Sequence, residues 1–396
     1  MTGAGLPLAG VKVLDLSTLL PGPLATLMLA DAGADVVKLE RPGSGDEMRT
    51  YEPKFGAASA NYAVLNRGKR AYGVDFKDPV QRDRVLGLAA EADVVVEQFR
   101  PGVADRLGLG YEAIAASNPR VVYCSITGYG ATGPLAPRAG HDLNYLAESG
   151  LLGVVTDSVG RPALPVSVLA DISAGTYPAV VNILLALRQA ERTGAGCHLQ
   201  VSMAHNLQVL AYGYIATHQA GGTWPRPGAE QLTGGSPRYH IYPTADGRHV
   251  ACAALEQKFW DRLVELVGLD EKFHEDAGRE EEVTAALGEI FAQQPVGYWR
   301  QLLGDEDVCT VVVATWDEAV RSGLVDTAAP ERVSPPGVSD MSFATLASPV
   351  DPSLRQVGGT LPYPALESLP DSSPWPRYDA KDVARDSEEP RDSEEQ

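Results

Sequence analysis

Val11-Lys12-Val13-Leu14-Asp15-Leu16 is the first stretch that reads unambiguously, as a β-strand, and the helix and strand next along the chain decide the fold. Residues Ser17 to Gly22 form a loop. Pro23 to Ala32 is a helix with proline in its first turn, where the missing N–H has no intrahelical partner to lose, and Gly33 stops it. Asp35-Val36-Val37-Lys38-Leu39-Glu40 is a second strand. Strand, helix and strand in so short a span make a βαβ unit, and βαβ units build parallel sheets of the α/β class. The turn between them is Leu20-Pro21-Gly22-Pro23 instead of the glycine pattern of dinucleotide-binding folds, so a nicotinamide cofactor loses its main support.

Outward from this unit the alternation continues. The basic cluster Asn66-Arg67-Gly68-Lys69-Arg70 precedes a short strand ending Val74-Asp75-Phe76-Lys77, then a helix from Pro79 to Ala90. Val94-Val95-Val96-Glu97 is a strand leading to Phe99-Arg100-Pro101-Gly102 and a helical turn carrying Arg106. Arg41, Lys69, Arg70, Lys77, Arg100 and Arg106 all fall near strand ends in this reading, a distribution that suits a phosphate-bearing ligand because guanidinium groups pair bidentately with phosphate oxygens. Arg120 to Ile126 is a buried strand, followed by a glycine-rich loop from Thr127 to Pro134. Then comes Arg138-Ala139-Gly140-His141-Asp142-Leu143-Asn144-Tyr145, with a helix expected from Leu143 to Leu152. His141 therefore sits between loop and helix beyond a strand end, where open α/β sheets bind ligands; simple capping of the helix by His141 and Asp142 stands beside that reading. Leu164 to Asp171 reads as a strand-like approach to a helix from Ser173 to Arg192, with Asp171 at the N-cap, a place for capping or for catalysis. Leu199 to Met203 leads into a further helix through Tyr212.

A second region has a different texture. Tyr239 to Pro243 and His249 to Ala253 are strands joined through Asp246-Gly247, a hairpin signal, and helices follow from Lys258 to Val267 and Glu280 to Ala292. The expected division is a large domain over 1–224, a small α+β domain over 225–327, a return segment over 328–375 packing on the large domain, and an acidic tail over 376–396. The tail repeats Arg-Asp-Ser-Glu-Glu and lacks apolar residues, so disorder is expected. A net charge of −19 argues against nucleic acid or an anionic membrane surface as the main partner. The four cysteines show no metal-binding spacing, and no apolar run approaches a membrane span, the longest candidate being Ala179 to Leu187. With no secretory signal at the N-terminus, a cytoplasmic protein without membrane insertion is expected.

Several separate motifs occur here in one order. Pro7 to Leu16, Pro21-Gly22-Pro23, Leu29 to Lys38, Glu40-Arg41-Pro42-Gly43, Asn66 to Arg70 and Phe99-Arg100-Pro101-Gly102 resemble the class III coenzyme A transferase superfamily (CaiB/BaiF). Ala139 to Tyr145, Leu169-Ala170-Asp171, Gly234 to Tyr239 and Glu256-Gln257-Lys258-Phe259 are similar to its α-methylacyl-CoA racemase branch. The resemblance runs from Pro7 to about Ala319 and fades beyond residue 330. It implies a Rossmann-like large domain, a small α+β domain and an obligate homodimer of interlocked ring-like subunits. It also implies that His141 and Asp171 are the acid/base pair, with Glu256 supporting them from the partner chain. The CoA moiety of an acyl-CoA thioester would lie along Arg41, Val74, Asp75, Phe76, Lys77, Arg100 and Arg106, its thioester reaching Gly140, Asp142, Asn144 and Tyr145. No metal or redox cofactor is expected, CoA being part of the substrate.

The residue types suit that chemistry. Inverting the α-carbon of a thioester needs one base on each face of a planar enolate. Histidine titrates near working pH, whereas Asp171 needs its proton affinity raised by burial against the opposing pull of a helix N-terminus. The rival reading is acyl-CoA:carboxylate CoA transfer, with Asp171 attacking the thioester to form a covalent intermediate. A non-catalytic CoA-binding relative is the third. The histidine at 141 favours racemisation, since the transferases that this chain resembles usually lack it.

Overall fold

The computed structural model describes residues 5–157, 159–338 and 340–375, and the acidic tail expected over 376–396 lies outside them. The chain divides into two compact units, the first of 5–149, 167–209 and 327–375, the second of 150–166 and 210–326. Residues 150–166 and 210–224, read from the sequence as part of the large domain, group with the second unit.

The first unit is built on a seven-stranded sheet in the order Leu366–Ser368, Arg70–Gly73, Asp35–Glu40, Lys12–Leu16, Val94–Glu97, Val122–Thr127, Cys197–Ser202. Every pairing in it is parallel. Numbered along the chain, its first six strands run 3-2-1-4-5-6, the Rossmann order, and Leu366–Ser368 is added at the edge beside Arg70–Gly73. The direction of winding reverses between Lys12–Leu16 and Val94–Glu97, opening a crevice beyond their carboxyl ends. Helices cover both faces of such a sheet, which is why its central strands read as continuous apolar runs: Val13, Leu14, Val94, Val95 and Val96 are wholly buried.

Three local expectations change. The strand after the basic cluster is Arg70–Gly73, four residues earlier than Val74 to Lys77; Val74 follows it, donating its N–H to the Glu40 carbonyl at 2.8 Å. Residues 164–168 form no strand, and the chain instead enters a π-helical turn, Ala170–Thr176, continuous with the helix Tyr177–Thr193. Cys197–Ser202, read as the approach to a helix, is the edge strand paired to Val122–Thr127; polar residues on its exposed positions disguised it. The fused helix 170–193 is 24 residues long and, by length and composition only, apolar enough to cross a membrane. One face of it, Ala179, Val180, Ile183, Ala186 and Ala190, is buried, while Tyr177, Val181, Leu184 and Leu185 are exposed.

Beneath the first βα turn lies a buried charged network that the sequence did not announce. Lys38 pairs with Asp46 at 3.2 Å and donates to the Ser17 carbonyl at 2.6 Å. Lys69 reaches Asp15 at 3.4 Å, the Pro23 carbonyl at 2.8 Å, Thr26 Oγ1 at 2.9 Å and Asn66 Oδ1 at 3.0 Å. Glu40 holds Arg49 at 2.7 Å and accepts from the Tyr62 hydroxyl at 2.6 Å. Most of the basic cluster of residues 66–70 thus turns inward: Arg67 lies on Asp31 at 2.8 Å and Lys69 is wholly buried, a structural cation out of reach of a phosphate, while the partly exposed Arg70 pairs with Asp35 at 2.9 Å. Burial would raise the Asp15 carboxyl, but Lys38 and then Lys69 outweigh it and hold it down at about 2. Burial would likewise depress Lys38, yet Asp15, Asp46 and Glu40 keep it above the usual lysine value. Lys69, beside a second cation, falls to about 7, chiefly through burial.

The second unit has a three-stranded antiparallel sheet, in the order Thr310–Val312, His249–Ala253, Tyr239–Pro243, with the expected hairpin turning at Gly247 in the left-handed region. Helices Gln257–Val267, Glu280–Phe291 and Val296–Leu303 pack on it around Tyr242, Trp260, Phe291 and Trp299.

Candidate active site

Residues from the crevice of the first unit enclose a cavity of about 380 Å³. Leu19 comes from the loop after Lys12–Leu16 and Pro21 opens the helix Pro21–Asp31 that follows it, while Gln98, Phe99, Arg100 and Pro101 follow Val94–Glu97. Ile126 and Thr127 end the next strand, Gly128 and Tyr129 follow it, and Arg138, Gly140, His141, Asn144 and Tyr145 come from the segment beyond. Asp171 and Met203 complete the polar and apolar parts of the wall. The cavity therefore occupies the switch point of the sheet, where ligands of this architecture bind.

His141 is the N-cap of the helix Asp142–Glu148, exposed and in extended backbone conformation. Its N–H donates to Asn144 Oδ1 at 3.0 Å, which ties the N-cap backbone to the first turn of the helix. Tyr145 fits because two glycines lie against it: a Cβ on Gly128 would stand 2.5 Å from its hydroxyl, and one on Gly140 2.8 Å from its ring. The Tyr145 hydroxyl donates to the Gly140 carbonyl at 2.5 Å, and its ring meets Tyr129 edge-on at 5.0 Å. Burial, then Asp171, pushes the Tyr145 hydroxyl up to about 12, which keeps it a neutral donor.

Asp171 lies in the first turn of the π-helical segment, one residue inside its start, instead of at a conventional N-cap. Its N–H donates to Asp142 Oδ1 at 2.9 Å, so this amide is not available to stabilise an enolate oxygen. Burial is the largest influence on the Asp171 carboxyl and the Asp142 carboxylate adds to it; the His141 charge opposes both, and the outcome is a value of about 6. Burial and a like charge thus act together to raise it, against the single opposing influence of His141. A carboxyl titrating there can both donate and accept a proton near neutrality.

Among the residues singled out from the sequence, the cavity brings together Arg100, Gly140, His141, Asn144, Tyr145 and Asp171. Asp142 is buried behind it, turned to the Asp171 backbone. Arg41, Asp75 and Lys77 are exposed at the same carboxyl edge of the sheet, and Arg106 is exposed on the short helix Val103–Arg106. Val74 is a core residue, and Phe76 packs edge-on against Phe99 at 6.0 Å. Glu256 belongs to the second unit, where it is the exposed N-cap of Gln257–Val267 and makes no side-chain cap. Gln98, Leu19 and Arg138 line the cavity without having been singled out; Gln98 Oε1 accepts from the Gly22 N–H at 3.2 Å, and Arg138 pairs with Glu148 at 2.6 Å. Position after a parallel strand at the switch point is the signal that would have found Leu19 and Gln98.

A Rossmann-order sheet with a cavity at its switch point, lined by His141 and Asp171, is an α/β ligand-binding architecture. The chain matches CoA-transferase family III over residues 8–366 and belongs to that family, the match extending beyond the region where the resemblance was legible. Human alpha-methylacyl-CoA racemase is 33% identical over 318 residues, covering 79% of each chain. Human succinyl-CoA:glutarate CoA-transferase is 37% identical over 308 residues, covering 75% of this chain and 69% of that one. The crystal structure of a CaiB/BaiF family protein from Brucella suis superposes with a TM-score of 0.76 at 30% identity, covering 91% of this chain and 96% of the other. The chain is thus an enzyme of this family, similar to both racemases and transferases.

Proposed function

We propose that the enzyme interconverts (R)- and (S)-2-methylacyl-CoA thioesters by 1,1-proton transfer. The observation that carries this reading is the placement of His141 and Asp171 on one cavity, with the Asp171 carboxyl raised to about 6. One residue removes the α-proton, and the C–H electron pair passes into the thioester carbonyl to give a planar enolate. The other residue returns a proton to the opposite face. Their protonation states are then exchanged, which prepares the site for the opposite enantiomer. Arg100 suits the phosphate-bearing part of CoA, with Arg41 and Lys77 exposed at the carboxyl edge of the sheet and Arg106 exposed on the short helix Val103–Arg106.

The active unit in this reading is a homodimer, with Glu256 of the partner chain supporting the acid/base pair. Two features support it: His141 is exposed in a single chain, and the helix Tyr177–Thr193 presents Tyr177, Val181, Leu184 and Leu185 as an uncovered apolar stripe. A second copy over such surfaces buries apolar area and excludes water from the enolate. Four free cysteines suit a reducing compartment, and we place the enzyme in the cytoplasm.

CoA transfer is the second reading, favoured by the 37% identity to the glutarate transferase. In it, Asp171 attacks the thioester as a carboxylate. Incubation with (R)- or (S)-2-methylacyl-CoA in heavy water separates the two. Deuterium should enter the α-position with no added acid; label that stays out, with CoA passing to an added carboxylic acid, would replace racemisation by transfer.

A further inference from the structure

The loop after the first strand contains a strained residue that proton transfer does not use. Leu19 has φ of 62°, a left-handed conformation that a leucine rarely adopts. It is clamped there: its N–H donates to both carboxylate oxygens of Asp46, at 3.2 and 3.1 Å. Asp46 is almost wholly buried, paired to Lys38, and accepts the Met48 N–H at 3.0 Å while donating its own N–H to Glu40 Oε2 at 2.7 Å. The charged network under the βα turn thus converges on one backbone amide. Persistent strain of this kind marks a position that its surroundings over-determine.

The clamp fixes Leu19 on the wall of the cavity that holds His141 and Asp171, a wall to which Pro21, Ile126 and Met203 also contribute. The same loop packs toward the Asp171 turn: Leu19, Leu20 and Ile172 join one apolar cluster, and the Pro21 carbonyl accepts from Thr176 Oγ1 at 2.9 Å. We infer that Leu19 is a specificity-determining residue, an apolar wall against which the acyl group of the thioester lies, fixed in place by the Asp46–Lys38 pair. This rests on the acyl-CoA reading of the site, but not on the choice between racemisation and transfer. A flexible loop would let the wall retreat from bulky acyl groups; a clamped one makes the limit sharp.

The test uses the full chain and a series of 2-methylacyl-CoAs from butanoyl to dodecanoyl, followed by α-deuterium exchange or, if exchange is absent, by CoA transfer to an added acid. Leu19→Ala and Leu19→Gly should shift the ratio of kcat/KM for long over short chains upward by roughly tenfold, and Leu19→Phe should shift it downward. Glycine adopts the left-handed conformation freely, so Leu19→Gly isolates the side chain from the backbone strain. Asp46→Asn should broaden the preference in the same direction as alanine, with kcat/KM for the short chain altered less than that for the long. Turnover that retains the wild-type ratio in all three Leu19 variants overturns the assignment while leaving the proposed reaction intact. A wild-type protein that neither turns over nor binds any acyl-CoA in calorimetry sinks both.

Discussion

Two charged regions of the first unit share a sheet and differ in how their charges are met. Under the first βα turn, Asp15, Lys38, Asp46, Glu40 and Arg49 are enclosed in mutual ion pairs and hydrogen bonds. At the cavity, Asp171 and Asp142 are like charges joined through a backbone amide, with His141 as the compensating group. The first arrangement lowers the Asp15 carboxyl to about 2 and fixes a loop; the second raises the Asp171 carboxyl to about 6 and leaves a proton movable. Charge density alone does not separate structure from function. What separates them is whether the neighbours satisfy the charge or oppose it.

Stability measurements are the strongest way to break this contrast. Lys38→Met leaves three carboxylates around an apolar side chain and should cost about 3–5 kcal/mol in urea unfolding at pH 7.5. Asp171→Asn should act the other way. Its carboxyl binds a proton more tightly in the folded state than at the ordinary 3.8, so that stabilisation is complete below 3.8 and lost as pH rises through about 6. Above that, the wild type carries an ionised carboxylate facing Asp142. The variant should therefore gain about 1–2 kcal/mol relative to wild type between pH 3.5 and 7.5, solvent at this half-buried site screening the rest. Asp171→Asn that destabilises at pH 7.5 as Lys38→Met does would erase the distinction.

The same contrast explains what could be read from the sequence. The βα alternation was legible because each central strand is buried on both faces and therefore apolar throughout, as in Val94–Glu97. The edge strands were not: Cys197–Ser202 has alternately exposed polar residues, and Leu366–Ser368 is three residues long in a proline-rich segment. His141 and Asp171 stood out because their residue types suit acid/base work at a strand end and a helix start. Lys69 and Arg70 were indistinguishable from Arg100 by spacing, since whether a cation near a strand end is already paired depends on carboxylates far along the chain, Asp15 and Asp35 here. The π-helical turn at Asp171 carries no local signature in Ala170–Thr176, so its geometry had to come from packing against the first helix and the Met203 segment.

A pH profile sharpens the contrast at its centre. Asp142 contributes to the raised Asp171 carboxyl by charge, and its Oδ1 receives the Asp171 N–H. Asp142→Asn removes the charge and retains an acceptor for that N–H. In the direction where Asp171 is the base, deuterium exchange should rise with pH through about 6 in the wild type. The variant's inflection should fall by roughly one unit, toward the ordinary carboxylate range. An inflection that stays in place would mean that burial alone sets the Asp171 proton affinity and that Asp142 serves only to hold the turn.

The smallest effect separates two arginines that look alike in sequence. Arg100 is exposed and lines the cavity, whereas Arg70 pairs with Asp35 and with the Pro374 carbonyl. Removing a solvent-accessible guanidinium from a phosphate forfeits on the order of 1 kcal/mol, so Arg100→Ala should raise KM for an acyl-CoA about fivefold with kcat nearly unchanged. Arg70→Ala should leave KM unchanged and lower the melting temperature slightly, because its charge is already committed at the edge of the sheet. Equal rises in KM for both variants would mean that the Arg70–Asp35 pair opens when substrate binds. The inward-turned cluster would then belong to the site after all.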